Sequence, residues 1–85
     1  MTSRVFIISN RDYQKRLISE IQHKLRVLLC CYTIKNFQLL ENNHFTFNKS
    51  YRLRGVRFDD ENMYRGRFDI DEVNNDKVKL RLTVL

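Results

Sequence analysis

The sequence predicts an α+β fold of two layers, in which one N-terminal strand and one amphipathic helix pack on an antiparallel C-terminal β-meander. Two observations support this class. Apolar residues recur at a helical period after a first strand-like run, and the second half of the chain alternates between apolar and polar residues. This order of elements is typical of a helical layer that covers one face of a sheet. With 85 residues we expect one domain, residues 1–85.

A change of period separates the first two elements. Arg4–Ser9 is a continuous apolar and β-branched run, which predicts a strand covered on both faces or in the middle of a sheet. The next apolar residues recur every three or four positions, so we expect a helix that Asn10 or Asp12 caps and that ends between Leu29 and Thr33. Its apolar stripe consists of Tyr13, Leu17, Ile18, Ile21, Leu25, Leu28 and Leu29.

The β-meander is expected after residues 30–41, a stretch that mixes strand-forming with helix-forming residues and leaves its structure open. Asn42–Asn43 predicts a turn, and the polar segments 59–62 and 74–76 predict connections between strands. Three alternating strands are expected, the first with a β-bulge at Gly55: Tyr51–Phe58, Tyr64–Asp71 and Lys77–Val84.

The outward positions of these three strands are mostly basic. The chain carries 16 Lys and Arg against 10 Asp and Glu, a net charge of +6 that favours a polyanionic partner. Because the acids gather mainly in the predicted loops, we expect a cationic sheet face on the side away from the helix. An outer face that only prevents strand aggregation is the alternative. The candidate nucleic-acid-binding residues are Arg52, Arg54, Arg57, Arg65, Arg67, Lys77, Lys79 and Arg81.

Such a face is expected to bind the phosphates of RNA and to have little sequence specificity. The aromatic positions of the strands are predicted to point inward, which leaves few rings to stack on exposed bases. Tyr32, His44 and Phe45 remain as candidates for stacking. Neutralising about five phosphates of a single strand predicts a salt slope of roughly −3.5.

Two other classes stay open. A small RelE-like endoribonuclease toxin could use His23, His44, Tyr51 or Tyr64 beside the cations. No two titratable partners stand at a fixed spacing, so we expect no catalytic residues and no enzymatic activity. The second class is a basic module that docks on an acidic protein surface.

The partners and surroundings of the chain follow from what its sequence lacks. Metal-ligand spacings and a phosphate-binding glycine loop are missing, so we expect no metal and no cofactor. No apolar run is long enough for a membrane span and no signal-peptide pattern follows Val5, so we expect a cytoplasmic protein without membrane association. A homo-oligomer is compatible with so small a core.

The composition itself is biased. The sequence has no Ala, Pro or Trp, eight Asn, and ten Arg against six Lys. With its length and Arg-lined strands, it resembles the TifA-like counter-defence proteins of T4-type phages. The resemblance implies a non-enzymatic, antitoxin-like inhibitor of the endoribonuclease toxin of a ToxIN-type, type III toxin–antitoxin system. It also implies that the protein associates with RNA in the host bacterial cytoplasm. No family site residue is carried over.

Overall fold

The computed structural model describes all 85 residues as one five-stranded antiparallel sheet with two helices. The strand order is β1-β5-β4-β3-β2, and a 3-10 turn, Glu41–Asn43, joins β2 to β3. The α+β class is confirmed, since the N-terminal strand and the helices accompany a C-terminal meander of β3, β4 and β5. The elements are β1 (Thr2–Ser9), α1 (Asn10–Lys15), α2 (Leu17–Leu29), β2 (Thr33–Leu39), β3 (His44–Leu53), β4 (Val56–Val73) and β5 (Lys77–Val84).

The core lies between α2 and one face of the sheet, called the inner face here; the opposite face is the outer face. Alternation along β5 places every second residue from Val78 to Val84 on the inner face, and all four are buried. Ile21 and Leu25 of α2 are fully buried in the same cluster. Burying a side chain of this size contributes roughly 1.5–3 kcal/mol. The alternation predicted for the last strand is confirmed.

The predicted helix is interrupted, and its cap is a different residue. The Ser9 hydroxyl, rather than Asn10 or Asp12, caps α1 by accepting a hydrogen bond from the Asp12 backbone N–H at 3.0 Å. Arg16 leaves the helical conformation with a φ of −139° and separates α1 from α2. The end of α2 at Leu29 lies within the predicted range.

β1 is an edge strand, so the expectation of a strand covered on both faces or in the middle of the sheet is wrong. Phe6 and Ile8 are buried in the core, whereas Val5 and Ile7 lie on the outer face with 42% and 53% of their surface exposed. Their cross-strand neighbours are basic residues of β5. Long basic side chains cover apolar neighbours with their methylenes. Apolar residues beside such basic side chains can therefore lie on a face that is open to solvent. An apolar run in the sequence does not show whether its residues lie in this setting or in the core.

Residues 30–41, left open by the sequence, provide the other edge strand. β2 pairs with β3, and its Ile34 is buried in the core. The pairing is interrupted by a bulge where Asn36 adopts a φ of 53°. Asn tolerates this left-handed conformation better than most residues do. The bulge explains why no clean alternation marks the strand in the sequence.

The phase slip at Gly55 is a hairpin turn and not a β-bulge. Arg54 and Gly55 have φ values of 51° and 78°, as the two central residues of a type I′ turn require. Leu53 and Val56 on either side form the last cross-strand pair. Paired residues share a face, so the turn alone produces the shift that the sequence pattern shows.

β4 is 18 residues long because it continues through Asp59–Asn62, which was predicted as a connection. A register shift in its pairing with β3 accommodates the extra residues. β5 pairs with β4 only from Gly66 onwards, and β2 pairs with β3 only as far as Ser50. The strand residues of Tyr51–Phe58 therefore pair only with each other, and we call this segment the hairpin arm. The molecule measures 42 × 26 × 22 Å.

Candidate nucleic-acid interface

The register of the sheet determines which predicted cations share a surface. Residues that pair directly across strands lie on the same face. Seven of the eight predicted cations fall on the outer face, and Arg54 lies in the turn at the tip of the hairpin arm instead. The seven are Arg52, Arg57, Arg65, Arg67, Lys77, Lys79 and Arg81.

The acidic residues do not gather in loops as predicted, because several lie within the long strand β4. Four of the predicted cations form ion pairs with them. Exposed pairs of this kind contribute at most about 1 kcal/mol each to stability, but each carboxylate offsets one positive charge. The pairs are Arg57 with Asp59 at 3.2 Å, Arg67 with Asp69 at 3.3 Å, Lys79 with Glu72 at 3.0 Å, and Arg81 with Asp71 at 2.8 Å.

A groove of about 630 Å³ on the outer face illustrates this balance. Its charged lining consists of two Arg, at 67 and 81, and two Asp, at 69 and 71. Each Arg is held by one of these carboxylates. An anion entering the groove therefore meets cations that already have a partner.

The remaining four cations form no ion pair. They are Arg52, Arg54, Arg65 and Lys77, and the first two belong to the hairpin arm. The arm holds three Arg and no acidic residue in its eight positions. The arm thus holds two Arg without a carboxylate partner beside Arg57, whose partner Asp59 directly follows the arm.

On the outer side of the hairpin arm, two positive charges lie opposite each other. Arg52 lies directly opposite Arg57 in the ladder, an arrangement that destabilises a strand pair. Asp59 pairs with Arg57 but also with Lys35, whose Nζ lies 3.3 Å from its carboxylate. Hydrogen bonds from Lys35 and, to a smaller extent, from Arg57 hold the pKa of Asp59 below its usual value. One carboxylate thus serves two cations, and Arg52 is left uncompensated.

The three candidates for base stacking have different surroundings. Tyr32 is exposed, and the guanidinium of Arg52 lies 5.4 Å from the centre of its ring. His44 begins β3 on the outer face, opposite Arg67. Phe45 is fully buried in the core, so its ring is not accessible to a base. Tyr32 is therefore the candidate closest to the uncompensated charge.

The inner side of the hairpin arm carries exposed rings that the sequence did not indicate. Tyr51 pairs with Phe58, and 36% and 52% of their surfaces are exposed. They point towards the inner face as predicted, but the helices do not cover this part of it, and the adjacent pair Leu53 and Val56 is exposed as well. The expectation that few rings are free for stacking is wrong here. No pattern in the sequence reveals how far a helical layer extends along a sheet.

A cluster of titratable side chains lies where the hairpin arm meets the body. Lys49 Nζ lies 4.7 Å from the ring centres of both Tyr51 and Tyr64, and it hydrogen-bonds the Tyr51 hydroxyl. The Tyr64 hydroxyl donates a hydrogen bond to Asp60. These contacts join β3 to β4 at the register shift and fix the base of the arm.

The pKa values of this cluster move away from neutrality. Burial alone would lower the pKa of Lys49, but the hydrogen bonds and charges of Tyr51 and Tyr64 raise it above its usual value. The hydrogen bond to Asp60 raises the pKa of Tyr64. The contacts of this cluster therefore favour the charged form of Lys49 and the protonated form of the Tyr64 hydroxyl.

The residues considered for a ribonuclease do not converge. His23 lies on α2, and His44 lies on the outer face. Tyr51 and Tyr64 lie together on the inner face, both beside Lys49. The structure thus brings together the two tyrosines but neither histidine with them.

No protein-family model, curated protein or solved structure matches the chain. None of the helices has the length and apolar character needed to cross a bilayer. His, Cys, Asp and Glu side chains form no group of three or more that could hold a metal ion.

Proposed function

We propose that this protein binds RNA through its phosphates, with the hairpin arm as the main contact and the outer face of the sheet as its continuation. The observation that carries the proposal is the pairing of Arg52 with Arg57, two like charges whose one nearby carboxylate, Asp59, is shared with Lys35. Like charges at paired strand positions destabilise a hairpin, and a phosphate placed between them removes that cost. The planar guanidinium also binds phosphate oxygens in pairs, which a Lys ammonium does not.

The expected strength of the interaction follows from the number of available cations. Four predicted cations have no carboxylate partner, and Arg57 shares its carboxylate with Lys35. About five phosphates of a single strand can thus be neutralised, which corresponds to a salt slope of roughly −3.5. A fourfold rise in salt would then weaken binding by about a hundredfold.

RNA binding of this kind would serve a phage-encoded protein that inhibits a bacterial type III toxin–antitoxin ribonuclease in the host cytoplasm. Support for this role comes from the resemblance to the TifA-like counter-defence proteins in length, composition and Arg-lined strands. In this role the protein is a non-enzymatic inhibitor without a cofactor. Its partners are RNA and the toxin.

The proposal is tested by three measurements on the purified protein. A labelled single-stranded RNA is expected to bind, while polyglutamate at equal charge concentration binds at least tenfold more weakly. The same RNA is expected to stay intact on incubation, and added protein is expected to reduce its cleavage by a ToxIN-type toxin. Stronger binding to polyglutamate would favour docking on an acidic protein surface. Newly cut RNA ends, absent from a Lys49→Ala preparation, would favour the ribonuclease interpretation.

A further inference from the structure

We infer that the inner side of the hairpin arm is a stacking site for unpaired bases, so that the arm holds a single RNA strand by its bases as well as its phosphates. The inference rests on the proposed RNA binding and deepens it. Two cross-strand pairs place four large side chains on this side, and all of them are exposed. They are Tyr51 with Phe58, and Leu53 with Val56.

Phe58 provides the most accessible ring. It takes part in none of the aromatic or cation–π pairs, whereas the ring of Tyr51, which lies opposite it, is held by Lys49. An aromatic platform of this kind binds any base, because every base has a π-face. One stacked base typically strengthens binding about fivefold or more. The aliphatic pair beside the rings extends the apolar surface towards the tip of the arm.

The charge of the arm favours RNA over a second copy of the chain. Two arms packed by their apolar sides would form a unit with six Arg and no acidic residue, and Arg52 and Arg57 of each arm would lie on the side away from the contact. An RNA strand brings the opposite charge to the same place. The arm is also only two strands wide, and neighbouring strands lie about 5 Å apart. An RNA strand that passes round the edge of the arm can therefore contact Arg on the outer side with one nucleotide and a ring on the inner side with another.

This site distinguishes RNA with unpaired bases from duplex RNA. Bases within a helix are stacked on each other and are not available to a protein ring. Phosphates are present in both forms. We therefore expect the hairpin arm to favour single strands, without a strong preference for one base.

The absence of Trp from the chain allows a direct test. Phe58→Trp places the only indole on the proposed platform, and Val27→Trp places it on an exposed position of α2 as a matched control. Saturating single-stranded oligoadenylate is expected to quench the emission of the first variant and to leave that of the control unchanged. An abasic oligomer of the same length is expected to bind at least fivefold more weakly, with the same salt slope.

A second pair of measurements separates ring contact from folding. Phe58→Leu keeps an apolar side chain, removes the most accessible ring and leaves the contact between Tyr51 and Lys49 intact, and circular dichroism checks that the fold is retained. This variant is expected to bind oligoadenylate about fivefold more weakly and duplex RNA as before.

The outcomes distinguish this inference from the proposal on which it rests. The wild-type protein could bind RNA with the expected salt dependence while RNA leaves the emission of Phe58→Trp unchanged and loss of the ring leaves RNA affinity unchanged. In that case the stacking site is wrong and phosphate binding stands. If the wild-type protein binds no RNA, the proposed function itself fails. If the wild-type protein is a dimer, and Leu53→Glu dissociates it without weakening RNA binding, the inner side is an interface with a second copy. That result would overturn the inference.

Discussion

The hairpin arm and the β4–β5 half of the outer face carry basic residues at the same alternating positions, yet their charge balance is opposite. In the β4–β5 half, Asp69 lies opposite Arg81 and Glu72 lies opposite Lys79. In the arm, Arg52 lies opposite Arg57. A carboxylate within reach, either across the ladder or two residues along the same strand, therefore decides how far the charge of a basic position is offset. A count of cations along one strand does not reveal this.

The two regions also differ in packing, and the largest expected effect is the loss of stability when a glycine in the packed region is replaced. A Cβ on Gly66 would lie 2.5 Å from the ring of Phe45 and 2.8 Å from the Thr83 carbonyl oxygen. Gly66→Ala is therefore expected to cost roughly 2–3 kcal/mol of stability, or about 10 °C or more in Tm.

The matched control lies at the tip of the hairpin arm. Gly55 has open space around its Cβ position, and only its positive φ opposes a side chain. Gly55→Ala is expected to cost about 1 kcal/mol. Thermal unfolding followed by circular dichroism compares the two variants. Equal losses would contradict the distinction between a packed body and an open arm.

The second effect separates uncompensated from compensated Arg. Arg52→Gln with Arg54→Gln removes two cations that have no carboxylate partner, and we expect RNA affinity to fall about tenfold at 0.15 M salt. Arg67→Gln with Arg81→Gln removes two that are held by Asp69 and Asp71. That variant is expected to lose less than threefold. Fluorescence anisotropy with one labelled RNA measures both, and a larger loss in the second variant would reverse the assignment of the main contact.

A smaller effect is expected from freeing cations rather than removing them. Asp59→Asn releases Arg57 and Lys35 from their shared carboxylate, so RNA affinity is expected to rise about threefold. Glu41→Gln, which removes one negative charge but breaks no ion pair, is the control. The comparison uses the same anisotropy assay. An equal gain in both variants would mean that net charge, and not the arm, determines affinity.

The smallest effect concerns the joint between the hairpin arm and the body. Hydrogen bonds from Tyr64 and from the Asn62 backbone lower the pKa of Asp60. A carboxylate whose folded-state pKa is depressed stabilises the fold above its unfolded pKa of about 4, and this contribution is lost as the pH falls through the folded-state value. Tyr64→Phe removes the hydrogen bond. Urea unfolding between pH 2.5 and 6 should therefore show a shallower acid loss for the variant; identical profiles would assign the acid sensitivity to other carboxylates.

The elements that the sequence predicts well are those whose apolar residues all lie on one face. The alternation of β5 fixes its buried face because its apolar residues, from Val78 to Val84, all meet the core. The run Val5–Ile8 led to the wrong prediction of a covered or central strand, because an apolar run on an edge strand has the same sequence pattern as one on a buried strand. The β-bulge predicted at Gly55 was wrong because a bulge and a two-residue turn shift the alternation of apolar and polar residues in the same way.

The candidate site is predictable in its residues but not in its balance of charge. Alternation predicted all eight cations on one face, and seven of them lie there, since Arg54 is in the turn. Two of the ion pairs that offset them, Lys79 with Glu72 and Arg81 with Asp71, join β5 to β4 and depend on register, which the sequence alone does not specify. The other two join residues two positions apart on β4 and need only the extended strand. The acidic segment Asp59–Asn62 has the composition of a loop, yet Lys35, Lys49 and Tyr64 supply partners that keep it within β4. The exposed rings of the arm depend on the extent of the helical layer.

The salt dependence of RNA binding tests the central claim most directly, when it is measured on the wild-type protein and on the Arg52→Gln, Arg54→Gln variant together. A slope of roughly −3.5 is expected for the wild type, and the variant should be shallower by about 1.4, since each lost phosphate contact removes about 0.7. A wild-type slope near zero would contradict phosphate binding. An unchanged slope in the variant would contradict the hairpin arm as its main contact.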